Sequence, residues 1–178
     1  MEDTQNNVLV RFHLLLEIEG FSSRLTDPVD DNPIRSLIVT INDPEIDSGA
    51  WEIEVRMLPI VGNSGDPKAN PRIQFFSKIC DGEVISTDRE LIRFILALNA
   101  QLPLIGFHYS EAMNMVFFNN FTTLSRDEPR ADDQIVIDVT HMCAYILNTF
   151  GHMMIEAATG EKQADELLDE VVELYRPK

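Results

Sequence analysis

The chain has 178 residues, of which 30 are Asp or Glu and 14 are Lys or Arg, and its formal net charge is −16. Binding to nucleic acid or to an anionic membrane surface depends on cationic side chains that neutralise phosphates, so this balance argues against both kinds of partner. The apolar runs are also too short or too polar to cross a bilayer.

The length and the cysteine content favour a single cytoplasmic domain. A chain of this size suits one domain, with at most a short appendage. The two cysteines, Cys80 and Cys143, lie in apolar stretches and do not form a disulfide framework. Buried thiols are typical of a reducing compartment, and the polar, acidic residues 1–7 do not resemble a secretory signal peptide.

The first half of the chain predicts one helix and three strands. Apolar residues recur at helical spacing over residues 4–19, and Gly20 suits the end of that helix. Strands are predicted over Leu37–Ile41, Trp51–Met57 and Arg72–Cys80, and the first two form an antiparallel hairpin. The middle strand alternates strictly, which predicts one buried and one solvated face. Its apolar face is Trp51, Ile53, Val55 and Met57, and its polar face is Glu52, Glu54 and Arg56.

The second half predicts three helices and a second hairpin. A helix over Asp88–Gln101 is followed by strands over Leu104–Tyr109 and Met115–Thr122. A long helix then begins at a cap formed by Asp132 or Asp133 and ends at Gly160. Its apolar rows are Ile135, Val139, Met142, Ile146, Phe150 and Met153, and Val136, Cys143 and Leu147.

This order of elements predicts the fold class. The order α-βββ-α-ββ-α is typical of a two-layer α+β domain, with helices on one face of an antiparallel sheet. We assign residues 1–160 to this domain. Residues 161–178 form an extra acidic, amphipathic C-terminal helix that packs on it.

One stretch of the chain resembles a known family. The segments Leu91–Asn99, Leu104–Tyr109 and Val116–Phe118 are similar to a helix ending in a small-residue-plus-Asn turn, a Gly-x-Phe-type strand and an apolar strand. That combination resembles the type III secretion chaperone-like fold and the related YbjN-type domains, over about residues 8–159. The resemblance implies a non-catalytic, homodimeric protein that clamps an extended segment of a partner, although YbjN-type domains have no firmly assigned activity.

Two groups of residues on the long helix carry potential chemistry. His141 and His152 point roughly the same way, with Asp138 and Glu156 near them, but metal ligands on one helix need spacings of three or four residues and a third ligand from elsewhere. Cys143 lies near His141, yet a nucleophilic thiol needs an electropositive, exposed setting rather than this acidic, apolar one. We therefore predict no catalytic residue, no cofactor and no metal ligand.

The aromatic residues of the strands exceed what one buried sheet face accommodates. Both faces of Arg72–Cys80 and of Met115–Phe121 carry apolar side chains. Either a second copy covers the surplus or an apolar patch stays open for a ligand. We expect a homodimer, formed through strands or the long helix, that binds an extended peptide on an apolar surface rimmed with carboxylates. The alternative is a sensory or regulatory domain that binds a small molecule between the sheet and the long helix.

Overall fold

The computed structural model describes residues 2–27, 35–42, 50–58, 70–82, 84–85, 88–104, 106–125 and 129–176. The links expected between the predicted strands of the first half lie almost entirely outside these described residues.

The described chain contains four helices and a six-stranded antiparallel sheet, which confirms the predicted α+β class. The strand order is β1-β2-β3-β4-β6-β5. The elements, in chain order, are α1 (Glu2–Ile18), β1 (Ser22–Thr26), β2 (Ser36–Asn42), β3 (Ala50–Leu58), β4 (Arg72–Asp81), α2 (Asp88–Asn99), β5 (Phe107–Ser110), β6 (Met115–Thr123), α3 (Pro129–Thr159) and α4 (Ala164–Leu174).

Contacts divide the chain into two compact units, each built from two separate stretches of sequence. The first unit comprises Met1–Ser77 and Asn120–Tyr145, and the second comprises Lys78–Asn119 and Ile146–Lys178. Strands β4 and β6 and helix α3 contribute residues to both units. The C-terminal helix α4 belongs to the second unit, where it packs against α2.

In the first unit, strict alternation directs apolar side chains to one face of the sheet. Along β2, β3 and the first part of β4, every second residue is buried, as a strand with one covered face requires. Helix α1 packs on β1, β2 and β3 and buries Leu9, Phe12 and Leu16. Each such side chain contributes about 1.5–3 kcal/mol on burial. The buried sheet residues are Leu37, Val39, Ile41, Trp51, Ile53, Val55, Met57, Ile73 and Phe75.

Strand β1 was not predicted, and its sequence explains why. It reads Ser-Ser-Arg-Leu-Thr, with a single apolar residue, so it lacks the alternation that identifies a strand. It is an outer strand of the sheet and pairs along its length with β2, from Ser22 opposite Thr40 to Thr26 opposite Ser36. Backbone pairing, rather than apolar patterning, therefore specifies this element.

The long helix α3 begins earlier than the sequence predicted. It starts at Pro129, so neither Asp132 nor Asp133 caps it. Asp132 is instead buried within the first turn, where its carboxylate accepts a hydrogen bond from the backbone N–H of Ser125. The aspartate thus joins the backbone of Ser125 to the first turn of the helix instead of capping the helix. The other boundary is as predicted, since α3 ends at Thr159, immediately before Gly160.

The end of α1 confirms the role predicted for Gly20. Its φ of +90° lies in the left-handed region that glycine adopts without steric cost. Gly20 N–H donates to Glu17 O at 3.1 Å and Phe21 N–H donates to Leu16 O at 2.9 Å, which is the Schellman pattern. This turn directs the chain from α1 straight into β1.

In the second unit, one amide side chain organises the turn from α2 to β5. The Oδ1 atom of Asn99 accepts hydrogen bonds from Gly106 N–H (3.4 Å) and Phe107 N–H (3.2 Å). Its Nδ2 atom donates to Phe107 O at 2.8 Å. The Asn99 amide therefore satisfies backbone groups of β5 as a neighbouring strand would. The residues that suggested the family resemblance have this structural role.

Gly106 stands where no larger residue fits. A Cβ atom built on it would lie 2.7 Å from Cζ and 2.8 Å from Cδ2 of Phe118, and closer still to Cε2. Phe118 is fully buried and lies edge-on to Phe107, with ring centroids 5.4 Å apart. The ring cannot give way without disturbing that pair.

Replacing Asn99 by Ala removes three hydrogen bonds and leaves the backbone of Phe107 without its side-chain partner. We expect the free energy of unfolding to fall by about 1–3 kcal/mol. Urea titration followed by circular dichroism measures the change. The matched control is Gln101→Ala, because this exposed amide makes only one long hydrogen bond, 3.5 Å to Ala97 O, and its loss should cost less than about 0.5 kcal/mol. Equal effects in the two variants would show that the Asn99 network is not stabilising.

Replacing Gly106 by Ala forces a methyl group into the ring of Phe118. Overpacking of this kind costs about 1–3 kcal/mol, so we expect a lower midpoint of thermal unfolding. The double variant Gly106→Ala with Phe118→Leu tests the cause, since a smaller side chain at position 118 makes room for the methyl group. If the clash is responsible, Gly106→Ala will be less destabilising in the background of the Phe118→Leu variant than in the native protein.

Candidate functional site

The solvated face of the sheet in the first unit carries linked charges rather than an open apolar groove. Glu54 accepts a hydrogen bond from Ser36 Oγ at 2.5 Å and forms an ion pair with Arg56 at 3.0 Å. The Arg56 guanidinium in turn lies over the ring of Phe76, 5.8 Å from its centroid. A cation above the ring covers an aromatic side chain that otherwise faces water. Two of the three residues of the polar face predicted for β3, Glu54 and Arg56, therefore belong to one connected network, and Glu52 forms a separate ion pair with Arg24.

Most of the aromatic surplus that predicted a partner is accommodated within the two units. Phe107 and Phe118 are buried, and Phe117 stacks on His108 with ring centroids 5.3 Å apart. Among the Phe, Tyr and Trp residues of the described strands, only Phe121 is exposed, at 43%, and Arg72 lies 5.7 Å from its ring centroid. The surplus on the strands thus does not require a second copy to cover it.

Exposed apolar residues lie mainly on the helices. On α1, three residues at successive turns share one exposed face: Val10 is 37% exposed, Leu14 57% and Ile18 80%. We call these three residues the α1 row. Exposed Ile92 and Leu96 form a shorter pair on α2. The α1 row could have been found from the sequence, because its three apolar residues are additional to the buried stripe of Leu9, Phe12 and Leu16.

A side chain from the preceding helix closes part of the outer edge of β1. Glu17 Oε1 accepts hydrogen bonds from the backbone N–H of Ser23 (2.6 Å) and from its hydroxyl (3.1 Å). The hydroxyl also lies 2.7 Å from Nδ1 of His13. The side chain of Asn99 on α2 likewise forms hydrogen bonds with the backbone of β5, the other outer strand of the sheet. An extended peptide cannot pair with backbone groups that side chains already satisfy. Glu17 and Asn99, which we call the caps of β1 and β5, therefore oppose the addition of a further strand.

A shallow depression opens on the second unit between α3 and α4. It has a volume of about 480 Å³ and is lined by Met153, Asp169, Glu170, Glu173 and Leu174. Met153 is nearly buried and Leu174 is exposed, so apolar atoms form its floor and three carboxylates stand at its rim. We call this feature the acidic depression.

The residues considered as metal ligands have other partners. His141 packs against the ring of Phe21, with centroids 4.8 Å apart, and its Nε2 lies 3.9 Å from Glu19 Oε2. Glu156 forms an ion pair with Lys162 at 3.1 Å. No group of three His, Cys, Asp or Glu side chains in the described chain is arranged to hold a metal ion.

The thiol of Cys143 is in an apolar environment, as its sequence context predicted. Both cysteines are free and buried. Burial raises the pKa of the Cys143 thiol from 9.0 to about 12, because the charged thiolate is poorly solvated there. A nucleophilic cysteine needs the opposite shift. In this position the side chain packs as a small hydrophobic residue.

Comparison with known proteins returns no relative. No family model matches the chain, and neither a curated protein nor a solved structure matches it. The resemblance to the type III secretion chaperone-like and YbjN-type domains is accordingly still a prediction. None of the helices in the described ranges combines the length and the apolar character that a membrane crossing requires.

The raised pKa of Cys143 predicts resistance to thiol reagents. Its folded-state value lies above its unfolded value, so its contribution to stability is complete below pH 9 and is lost as the pH rises towards 12. We expect Ellman's reagent at pH 8 to label Cys143 only when the protein unfolds. Labelling of a Cys80→Ala variant in increasing urea, compared with its unfolding curve, measures this. Rapid labelling of the folded protein would contradict the assignment.

Proposed function

We propose that this protein is a non-catalytic, chaperone-like binding module of the cytoplasm that forms homodimers and binds exposed segments of other proteins. The observation that carries the proposal is the α1 row, three large apolar side chains displayed on one helix face of a strongly acidic chain. Contiguous apolar side chains in water are costly and are typical of interaction surfaces. The two free, buried cysteines are consistent with a reducing compartment.

The contact surface in this proposal differs from the one expected from the sequence. The sequence predicts an apolar sheet or groove for an extended peptide, but charges and guanidinium–aromatic pairs occupy the solvated sheet face of the first unit. The caps on β1 and β5 also oppose pairing at the sheet edges. A partner is therefore expected to dock on helix surfaces, through side chains rather than backbone hydrogen bonds.

The geometry favours protein binding over the small-molecule alternative. Pockets for small ligands enclose most of the ligand surface. The acidic depression is open to solvent and has only a few lining residues, so it encloses little of a free ligand. A side chain that belongs to a docked macromolecule needs no such enclosure.

The proposal predicts that charge in the α1 row weakens client binding. We expect the native protein to suppress light scattering by insulin aggregating after reduction. The double variant Leu14→Glu with Ile18→Glu should need at least about thirtyfold more protein for the same effect, because two interface side chains each contribute more than about 1 kcal/mol. The matched control, Ile92→Glu with Leu96→Glu, adds the same charge to exposed apolar positions of α2 and should retain activity.

The salt dependence of self-association tests the homodimer. Repulsion between two chains of net charge −16 is screened by salt, with a Debye length of about 8 Å at 0.15 M ionic strength, so dimers should become more abundant as salt increases. Sedimentation velocity at low and high salt measures this. A 20.2 kDa monomer at every salt concentration would refute the dimer. Native protein that never suppresses aggregation would refute the client-binding function.

A further inference from the structure

The acidic depression combines an apolar floor with an unusual concentration of negative charge at a helix end. Asp169, Glu170 and Glu173 lie in the C-terminal half of α4, and the last turn of this helix contains no basic residue. The C-terminus of a helix carries a partial negative charge, which favours cations and disfavours carboxylates. The C-terminus of α4 and the three carboxylates therefore both produce a negative electrostatic potential at the acidic depression.

Cations of the chain itself already bind at two sides of the rim. Lys162 Nζ lies 2.9 Å from Glu170 Oε1 and 3.1 Å from Glu156 Oε1, and these carboxylates raise its pKa. Arg176 forms an exposed ion pair with Glu173 at 2.9 Å. Asp169 forms no ion pair with any described residue. The rim thus accommodates basic side chains, and one of its carboxylates is available for another.

We propose that the acidic depression binds a basic and apolar segment of a partner protein, with a Lys or Arg head group at Asp169 and an adjacent apolar side chain against Met153 and Leu174. The stem of a lysine or arginine is itself apolar, so such a residue matches both the floor and the rim. Charge complementarity selects this partner over an acidic one. The inference rests on the proposed protein-binding function and names the chemistry of the segment that is bound.

Fluorescence anisotropy with three labelled decapeptides tests the proposal. Their sequences alternate Lys with Leu, Lys with Ser, and Glu with Leu. We expect the Lys-Leu peptide to bind most tightly, the Lys-Ser peptide more weakly, and the Glu-Leu peptide not at all. Replacing Asp169 by Asn and Glu173 by Gln should weaken Lys-Leu binding about tenfold. Leu174→Ser should reduce the preference for Lys-Leu over Lys-Ser.

The control separates the acidic depression from the general attraction of an acidic chain. Glu111→Gln with Glu161→Gln removes the same charge from exposed side chains outside the depression. If this control weakens binding as much as Asp169→Asn with Glu173→Gln, attraction is general and the proposed site is refuted. Thermal unfolding by circular dichroism must show both double variants folded. Asp169→Asn relieves repulsion at the end of α4, and the exposed Glu173–Arg176 ion pair that Glu173→Gln removes contributes little, so the double variant should unfold at nearly the native temperature.

Failure of this inference is distinguishable from failure of the proposed function. If none of the peptides binds while the protein still suppresses insulin aggregation, the acidic depression is refuted and client binding stands. If the Lys-Leu peptide binds at the depression but aggregation is not suppressed, the chaperone-like function is refuted and the site stands.

Discussion

The first unit depends on the alternation of its strands, because a single covered face must bury enough apolar surface to hold α1 in place. Ile53 and Val55 point to that face, and Glu52 and Glu54 point away from it. A shift of one residue between β2 and β3 would expose the whole apolar set, so the pattern specifies register as well as burial. The hydrogen bond from Ser36 to Glu54 depends on that register, which places Ser36 opposite Arg56 and next to the Glu54–Arg56 ion pair.

The difference between the covered and the solvated face of the sheet limits which surfaces remain for contact with a partner. The solvated face satisfies its own charges, and the outer strands are held by side chains of the helices that precede them. In the proposed function, the surfaces of the described residues that are left for a partner are on helices, and they have different chemistries. The α1 row is apolar, whereas the acidic depression adds carboxylates to an apolar floor. If both proposals hold, the protein binds one partner by hydrophobic burial and selects another by charge.

Local patterns were sufficient to predict the class of the fold and most of its elements. The strict alternation of β3, the apolar periodicity of α2 and the glycines that follow α1 and α3 all predicted what the structure shows. Three features were beyond such reasoning. Strand β1 has almost no apolar pattern and exists through pairing with β2, and Asp132 is a partner of Ser125 rather than a helix cap. The coverage of Phe76 by Arg56 also depends on pairing between strands, so an excess of aromatic residues was interpreted as a surface for a partner.

The closing of the two outer strands has a consequence for biosynthesis. Glu17 precedes Ser23 in the chain, and Asn99 precedes Phe107, so the ribosome makes each capping side chain before the strand that it caps. Each cap is also only a few residues from its target, and contacts at such short sequence separation form quickly. A nascent chain thus has the means to protect each outer strand as soon as that strand emerges. In a crowded polysome, where identical strands of neighbouring chains lie close together, this order of synthesis opposes their pairing with one another.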